Sequence, residues 1–186
     1  MKIILASKSP RRRELLSALY PDFDIITVEV DESLPDSMHP HEGVAVLAVR
    51  KGAPIAKIHR DALVISSDTL VELDGVALGK PEDADEAKAM LRSLSGNTHR
   101  VHTGVAVHYN GRCLFGTAAT SVRFRPLTDG EIAEYVASGE PMDKAGAYGI
   151  QGLGGALVES YDGDFDTVVG LSMTLLRRLC EEITND

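Results

Sequence analysis

Apolar residues change their spacing several times along the chain, and each change marks an element. KIILAS (2–7) is a short continuous apolar run of strand length, SPRRRELLSALY (9–20) sets Leu15, Leu16 and Leu19 at helical intervals, and FDIITVEV (23–30) returns to a strand pattern. The chain thus opens as strand, helix, strand. HPHEGVAVLAVRKGAPIAKIH (39–59) puts Val44, Leu47 and Ala48 on one helical face, with Lys51 a candidate for the same face, and Pro54 predicts a kink or an end. ALVISSDTLVELDGVALG (62–79) begins as a continuous apolar strand and turns through Asp74-Gly75. ADEAKAMLRSLSG (84–96) directs Ala87, Met90, Leu91 and Leu94 inwards and stops at Gly96. HRVHTGVAVHY (99–109) and RCLFGTAATSVRFR (112–125) flank Asn110-Gly111 as a long hairpin. LTDGEIAEYVASGE (127–140) reads as a helix capped by Thr128 or Asp129 and ended by Gly139. The glycine-rich GAYGIQGLGGALVESYDGDF (146–165) follows, and TVVGLSMTLLRRLCEEI (167–183) closes with a helix.

Hairpins interleaved with a strand-helix-strand unit predict an α/β fold with one mixed β-sheet flanked by helices, not a purely parallel sheet. The length of 186 residues suits a single domain, or two lobes sharing one sheet, and no repeat, low-complexity tract or linker divides 1–186. A right-handed first unit starts the Ser9 helix at the C-terminal edge of the first strand, the edge where such sheets bind ligands. A formal net charge of −9 disfavours nonspecific binding to nucleic acid or anionic membrane, so an anionic ligand needs a local basic pocket or metal ions. No segment approaches the ~20 apolar residues of a membrane span, and the run IILA is too short for a signal peptide. Cys113 and Cys180, without CxxC spacing, read as free thiols in a reducing compartment. These features predict a cytoplasmic protein.

Electrostatics supply the main anomaly. Ser9 reads as an N-cap and Pro10 as the first helical position, which puts Arg11, Arg12 and Arg13 in the first turn, already positive from the helix dipole and unpaired N–H groups. Arg12 lies in line with Leu15, Leu16 and Leu19, Arg11 borders that face, and Arg13 points to solvent. Internal carboxylates could satisfy Arg11 and Arg12; free helix N–H groups beside guanidiniums favour phosphate instead. Asp68 follows ALVI and two serines, at the mouth of a strand that must be central. It is a general base, a metal ligand or a cap, and the hairpin that follows disfavours the cap. Glu29, Asp31 and Glu32 form either a solvated turn or a divalent-cation site, while Lys51 and Lys80, taken singly, read as surface lysines. His99 and His102, three apart in a strand, face opposite sides and so are not a metal pair. The glycine-rich segment has neither Walker A nor Rossmann spacing, although Gly152, Gly154 and Gly155 allow close backbone approach beside the Gln151 amide. With no Ser or Cys in a nucleophile setting, water is the favoured nucleophile.

Six blocks in order, LASKSPRRRELL, SSDTLV, LGKP, LSGNTHRVHTGV, DKAGAYGIQGLGG and DGDFDTVVGLS, resemble the Maf family of nucleotide pyrophosphatases over essentially the whole chain. The resemblance implies an elongated mixed sheet with two lobes around a cleft, similar to inosine triphosphate pyrophosphatase. It also implies metal-dependent cleavage of a nucleoside triphosphate to the monophosphate and pyrophosphate. By the same resemblance, Ser9, Arg11 and Arg12 bind phosphate, Lys51 and Lys80 are catalytic-cleft lysines, Glu32 is the acidic residue after the second strand, Asp68 is the base, and Gln151 is the specificity amide. Arg11, Thr69 and Gln151 match the branch of the family that acts on dTTP and UTP, and an amide can pair with the imide edge of thymine or uracil. Gly52, where the family usually has Ala, and Ser172, where it usually has Pro, depart from the pattern. The expected mechanism has Mg²⁺ or Mn²⁺ held by Glu32, Asp68 and the phosphates, with Asp68 activating water for attack on the α-phosphorus. Arg12, Lys51 and Lys80 then stabilise the charge on pyrophosphate. A homodimer is expected from the resemblance alone. The alternative is a non-catalytic nucleotide-binding regulator of cell division, which would use the same pocket.

Overall fold

The computed structural model describes residues 1–35 and 37–185. One mixed seven-stranded sheet is built from β1 (Lys2–Leu5), β2 (Asp24–Ile25), β3 (Ala62–Leu73), β4 (Val76–Leu78), β5 (Thr98–Tyr109), β6 (Arg112–Phe124) and β7 (Val158–Asp162). The strand order is β2-β1-β3-β5-β6-β7, with β4 paired to β3. β1 runs parallel to β2 and β3, whereas the β3/β4 and β6/β7 pairs are antiparallel. The helices are α1 (Pro10–Ser17), α2 (Pro40–Ile58), α3 (Ala84–Leu94), α4 (Asp129–Ala137), α5 (Phe165–Val169) and α6 (Met173–Asn185). Both tight turns predicted by Asx-Gly pairs have left-handed central residues, Asp74 and Gly75 at φ 51° and 83°, Asn110 and Gly111 at 49° and 79°. These values suit the right-handed twist of the flanking strands.

The chain divides into two compact units: Met1–Thr69, Thr103–Ala118 and the residues from Gly170 onwards form the first, and Leu70–His102 with Ala119–Val169 the second. The first unit has an apolar cluster on each side of its strands. Leu5, Leu63, Ile65 and Val105 pack with Leu16 of α1 and Leu176 of α6, while Ile4, Ala62 and Val64 pack with Ile55 of α2. The alternation along β1 and β3 follows from successive side chains pointing to opposite faces. In the second unit Ala87, Leu91 and Leu94 of α3 pack with Ile132 and Val136 of α4 and Phe124 of β6. Thr128 caps α4 through a capping box with Glu131.

Three elements differ from the sequence reading, and α2 decides between the two outcomes left open at Pro54. The second strand is only two residues long, because β1 ends at Leu5 and Ile26 N–H makes the last ladder contact, to Leu5 C=O at 3.2 Å. Beyond it Val28 is 41% exposed, so an alternating pattern there finds neither a partner strand nor a core. Pro54 does not end α2; burial of Ile55 against β1 and β3 anchors the last turn and outweighs the hydrogen bond that proline removes. The end of the glycine-rich segment forms β7, a strand of mostly exposed residues that pairs with β6. The closing helix is two helices, broken at Gly170, whose φ of 123° no helix accommodates. Ser172 accepts from Leu175 N–H at 3.4 Å at the start of α6, which gives this departure from the family pattern a capping role.

Candidate active site

In the parallel register of the first unit Leu5, the last residue of β1, faces Ile65 of β3. β3 runs on to Leu73, so Ser66, Ser67, Asp68 and Thr69 lie past the end of β1. Asp68 therefore does not stand at the mouth of its own strand, as the sequence suggested, but in its middle; the edge it occupies belongs to β1. Alternation then sorts these residues. Ser66 Oγ donates to Ala48 C=O in α2 at 2.7 Å, and Asp68 shares that face. Ser67 Oγ donates to Gly170 C=O at 2.9 Å on the other face, which Thr69 shares.

Helix α2 brings a lysine to Asp68. Its backbone approaches the sheet closely: a Cβ at Gly104 would lie 2.1 Å from Val44 C=O, and one at Gly52 would lie 2.7 Å from the His108 ring. The His108 imidazole fills the space that a side chain at position 52 would take, so glycine there allows the helix to seat. Lys51, next to it, places Nζ 2.5 Å from Asp68 Oδ1 and 3.1 Å from Glu32 Oε1. The Lys51 and Asp68 side chains are 19% and 10% exposed, and Glu32 is 58% exposed. Glu32 is presented by a segment that Arg50 ties down, its Nη1 donating to Asp31 C=O at 2.6 Å and Ser33 C=O at 2.9 Å. The Ser33 hydroxyl and N–H hold the Asp31 carboxyl below its usual range, so Asp31 serves its own turn, and Glu29 lies exposed outside the cluster.

Helix α1 serves the opposite face. Ser9 caps it, accepting from Arg12 N–H at 3.4 Å, and Ser7 Oγ accepts from Ser9 N–H at 3.2 Å. The Arg12 guanidinium points inwards, as the Leu15 and Leu16 spacing predicted, while Arg13 is exposed. Its Nε donates to Gly170 C=O at 2.7 Å, Nη2 to Thr69 Oγ1 at 3.1 Å and Nη1 to Ser7 Oγ at 3.4 Å. Thr69 Oγ1 in turn lies 2.9 Å from Thr103 Oγ1. All the partners are neutral. No carboxylate pairs with Arg12 among the described residues, and two of its five N–H donors have no partner there. Burial lowers the Arg12 pKa; Asp68 opposes this, the adjacent Arg11 adds to it, and Glu32 opposes it. Arg11, Arg12, Asp68 and Glu32 thus share one electrostatic environment.

Sequence reasoning missed Ser7, Ser67, Thr103 and above all Gly170, whose carbonyl accepts from both Ser67 and Arg12. The signal was the Gly-Leu-Ser run inside an apparent helix, a break followed by an N-cap. A Cβ at Gly170 would also meet Arg12 Nε at 3.4 Å and Thr69 Oγ1 at 3.4 Å.

Lys80 and Gln151 belong to the second unit. Lys80 is exposed after β4, and Gln151 is half-buried in the glycine-rich segment; neither side chain has a partner among the described residues. His99 and His102 have separate partners, Tyr148 Oη at 2.7 Å and Glu72 Oε2 at 2.6 Å, as opposite faces of a strand require. Cys113 and Cys180 are free thiols.

Among the described residues no group of three or more His, Cys, Asp or Glu is placed to hold a metal. The two carboxylates that converge on Lys51 nevertheless fit a hard divalent ion. Mg²⁺ is commonly held by one or two carboxylates and completes its shell with phosphate oxygens and water.

The fold is that of a known α/β class. The Staphylococcus aureus Ham1 protein superposes with a TM-score of 0.50 at 16% identity, covering 99% of this chain and 96% of that one. The sequence places it more narrowly: residues 2–183 match the family described as Maf-like protein, and the chain belongs to that family. A dTTP/UTP pyrophosphatase of Bacillus velezensis is 45% identical, with 97% of this chain and 96% of that protein covered. Another of that name, from Pelotomaculum thermopropionicum, is 48% identical over 94% of this chain and 93% of its own. Among the described residues no helix is long and apolar enough to cross a membrane.

Proposed function

We propose that this protein is a nucleoside triphosphate pyrophosphatase that hydrolyses dTTP and UTP to the monophosphate and pyrophosphate. The observation that carries the chemistry is the pairing of Asp68 with Lys51 next to an Arg12 guanidinium that, among the described residues, has no carboxylate of its own. A base, a cation that orients it, and a second cation with spare donors suit hydrolysis of a phosphoanhydride by water. The choice of pyrimidine triphosphates is supported by the relatives' names and by Arg11, Thr69 and Gln151.

Asp68 accepts the proton of the water that attacks the α-phosphorus, and Lys51 holds the carboxylate in position for it. Arg12, fixed by Gly170, Thr69 and Ser7, turns its two spare N–H groups to phosphate oxygens, with Ser9 and Arg11 beside it. Glu32 and Asp68 would hold Mg²⁺ or Mn²⁺, an ion that supplies neutralisation of the triphosphate charge. Lys80 offsets charge on the departing pyrophosphate, and Gln151 pairs with the imide edge of the base. Incubation with Mg²⁺ or Mn²⁺ and a panel of nucleoside triphosphates tests the reading. Monophosphate and pyrophosphate should form in equal amounts, fastest from dTTP and UTP. Tight nucleotide binding with no turnover of any of them would overturn it in favour of a regulator.

A further inference from the structure

The segment that carries Gln151 is poorly suited to hold a side chain still. It contains Gly146, Gly149, Gly152, Gly154 and Gly155, and each glycine leaves the unfolded and loosely folded chain more conformations to lose. Within the second unit one carboxylate opposes this. Glu140, which follows the Gly139 stop of α4, accepts from Leu153 N–H and Gly154 N–H at 3.0 Å each, and from Tyr135 Oη–H at 2.9 Å. The Tyr135 hydroxyl accepts in turn from Gly149 N–H at 3.2 Å. Gly149 precedes Gln151 by two residues, and Leu153 follows it by two, so the tie points bracket the glutamine.

The glycines permit this arrangement. Gly152 has a φ of 72°, and a Cβ there would lie 2.8 Å from Glu140 Oε2. A Cβ at Gly154 would lie 2.6 Å from Tyr135 Oη and 2.2 Å from Gly149 C=O. Glu140 is itself anchored, since Lys144 Nζ donates to its carbonyl at 2.6 Å. Burial alone would raise the Glu140 pKa; the N–H groups of Gly154 and Leu153, the Tyr135 hydroxyl and Lys144 outweigh it, and the carboxyl lies below its usual range.

We infer that Glu140 is a positioning residue for Gln151: with Tyr135 it fixes the backbone on both sides of that glutamine, and so the direction from which its amide meets a pyrimidine base. The role rests on the reading of Gln151 as the base-recognising amide. Glu140→Gln keeps the shape but replaces one acceptor oxygen by an NH₂ group, which sets donor against donor at one of the bonded N–H groups.

The test compares kcat/KM for UTP with that for a deoxyribose triphosphate lacking a base, in wild type, Glu140→Gln, Gln151→Ala and the double variant. Misplacing the amide should lower the UTP-to-abasic ratio in Glu140→Gln on the order of 10- to 100-fold, through KM more than kcat. In the Gln151→Ala background the second substitution should change that ratio no further. Amide hydrogen exchange at Gly149, Leu153 and Gly154 should quicken in Glu140→Gln. Tyr135→Phe serves as the second variant if Glu140→Gln fails to fold, and the same shift in ratio is expected of it. A ratio lowered by Gln151→Ala but untouched by Glu140→Gln overturns the positioning role alone. Equal losses from Glu140→Gln with and without Gln151 also overturn it, since a merely structural residue would behave so. A ratio unchanged in Gln151→Ala overturns the base-recognising role itself, and with it the purpose assigned to Glu140.

Discussion

In the first unit two carboxylates gather around the Lys51 ammonium, and a guanidinium lies near them, held among the described residues by carbonyl and hydroxyl oxygens. In the second unit the buried His99 ring meets a tyrosine hydroxyl, and Phe124 and Tyr148 pack against it in T-shaped contacts with ring centroids 5.0 and 5.3 Å away. On the proposed function, the contrast separates charged groups kept ready for a ligand from a neutral ring whose Nε2 the fold satisfies. Charges held close together cost desolvation that their mutual attraction barely repays, so a fold that retains them past the end of β1 is not maximising stability there. His99 avoids that cost by remaining neutral, burial pushing its pKa down to about 4.

Asp68→Asn should lower kcat on UTP on the order of 10³-fold, about 4 kcal/mol in barrier, while thermal melting stays near wild type. An active variant would remove Asp68 from the chemistry. His99 should act on stability alone. Its pKa falls from 6.5 unfolded to about 4 folded, so its contribution is fully present above pH 6.5 and is lost as pH drops towards 4. The integrated loss is about 3 kcal/mol, and urea unfolding of wild type and the non-titrating His99→Gln across that window should show the steeper slope in wild type, above a background from carboxylates such as Glu140.

Arg12→Lys keeps the charge but removes the fork that bonds Gly170 and Thr69 together. It should cost on the order of 10- to 100-fold in kcat/KM, read by steady-state kinetics. A neutral outcome would make Arg12 a generic cation. Thr128→Ala, at the cap of α4, should cost about 1 kcal/mol in denaturant unfolding and leave kcat unchanged. A large loss of turnover there would mean that the second unit's helices are coupled to the chemistry more tightly than the contrast allows.

Much of this was legible in the residues. Leu15 and Leu16 fixed the face on which Arg12 had to lie, and Ala87, Met90, Leu91 and Leu94 named the buried stripe of α3. The Asx-Gly pairs located both hairpin turns. Long-range contact was not legible: nothing local says that β1 stops at Leu5 while β3 continues, and that difference in length is what carries Asp68 past the end of its neighbour. Nor does periodicity reveal a carbonyl as a functional group, which is why Gly170 read as one more residue of a helix. Internal neutral groups, rather than the carboxylates considered from sequence, take the Arg12 donors. Lys51 looked like a surface lysine because its partners lie 17 and 19 positions away in sequence.

A single turnover of UTP in oxygen-18 water, with the products resolved by mass spectrometry, tests whether the Asp68 cluster directs water to the α-phosphorus. Label should appear in the uridine monophosphate and not in pyrophosphate, and Asp68→Asn should slow its appearance without relocating it. Label in pyrophosphate, or release of orthophosphate in its place, would mean that water attacks a phosphorus other than the α.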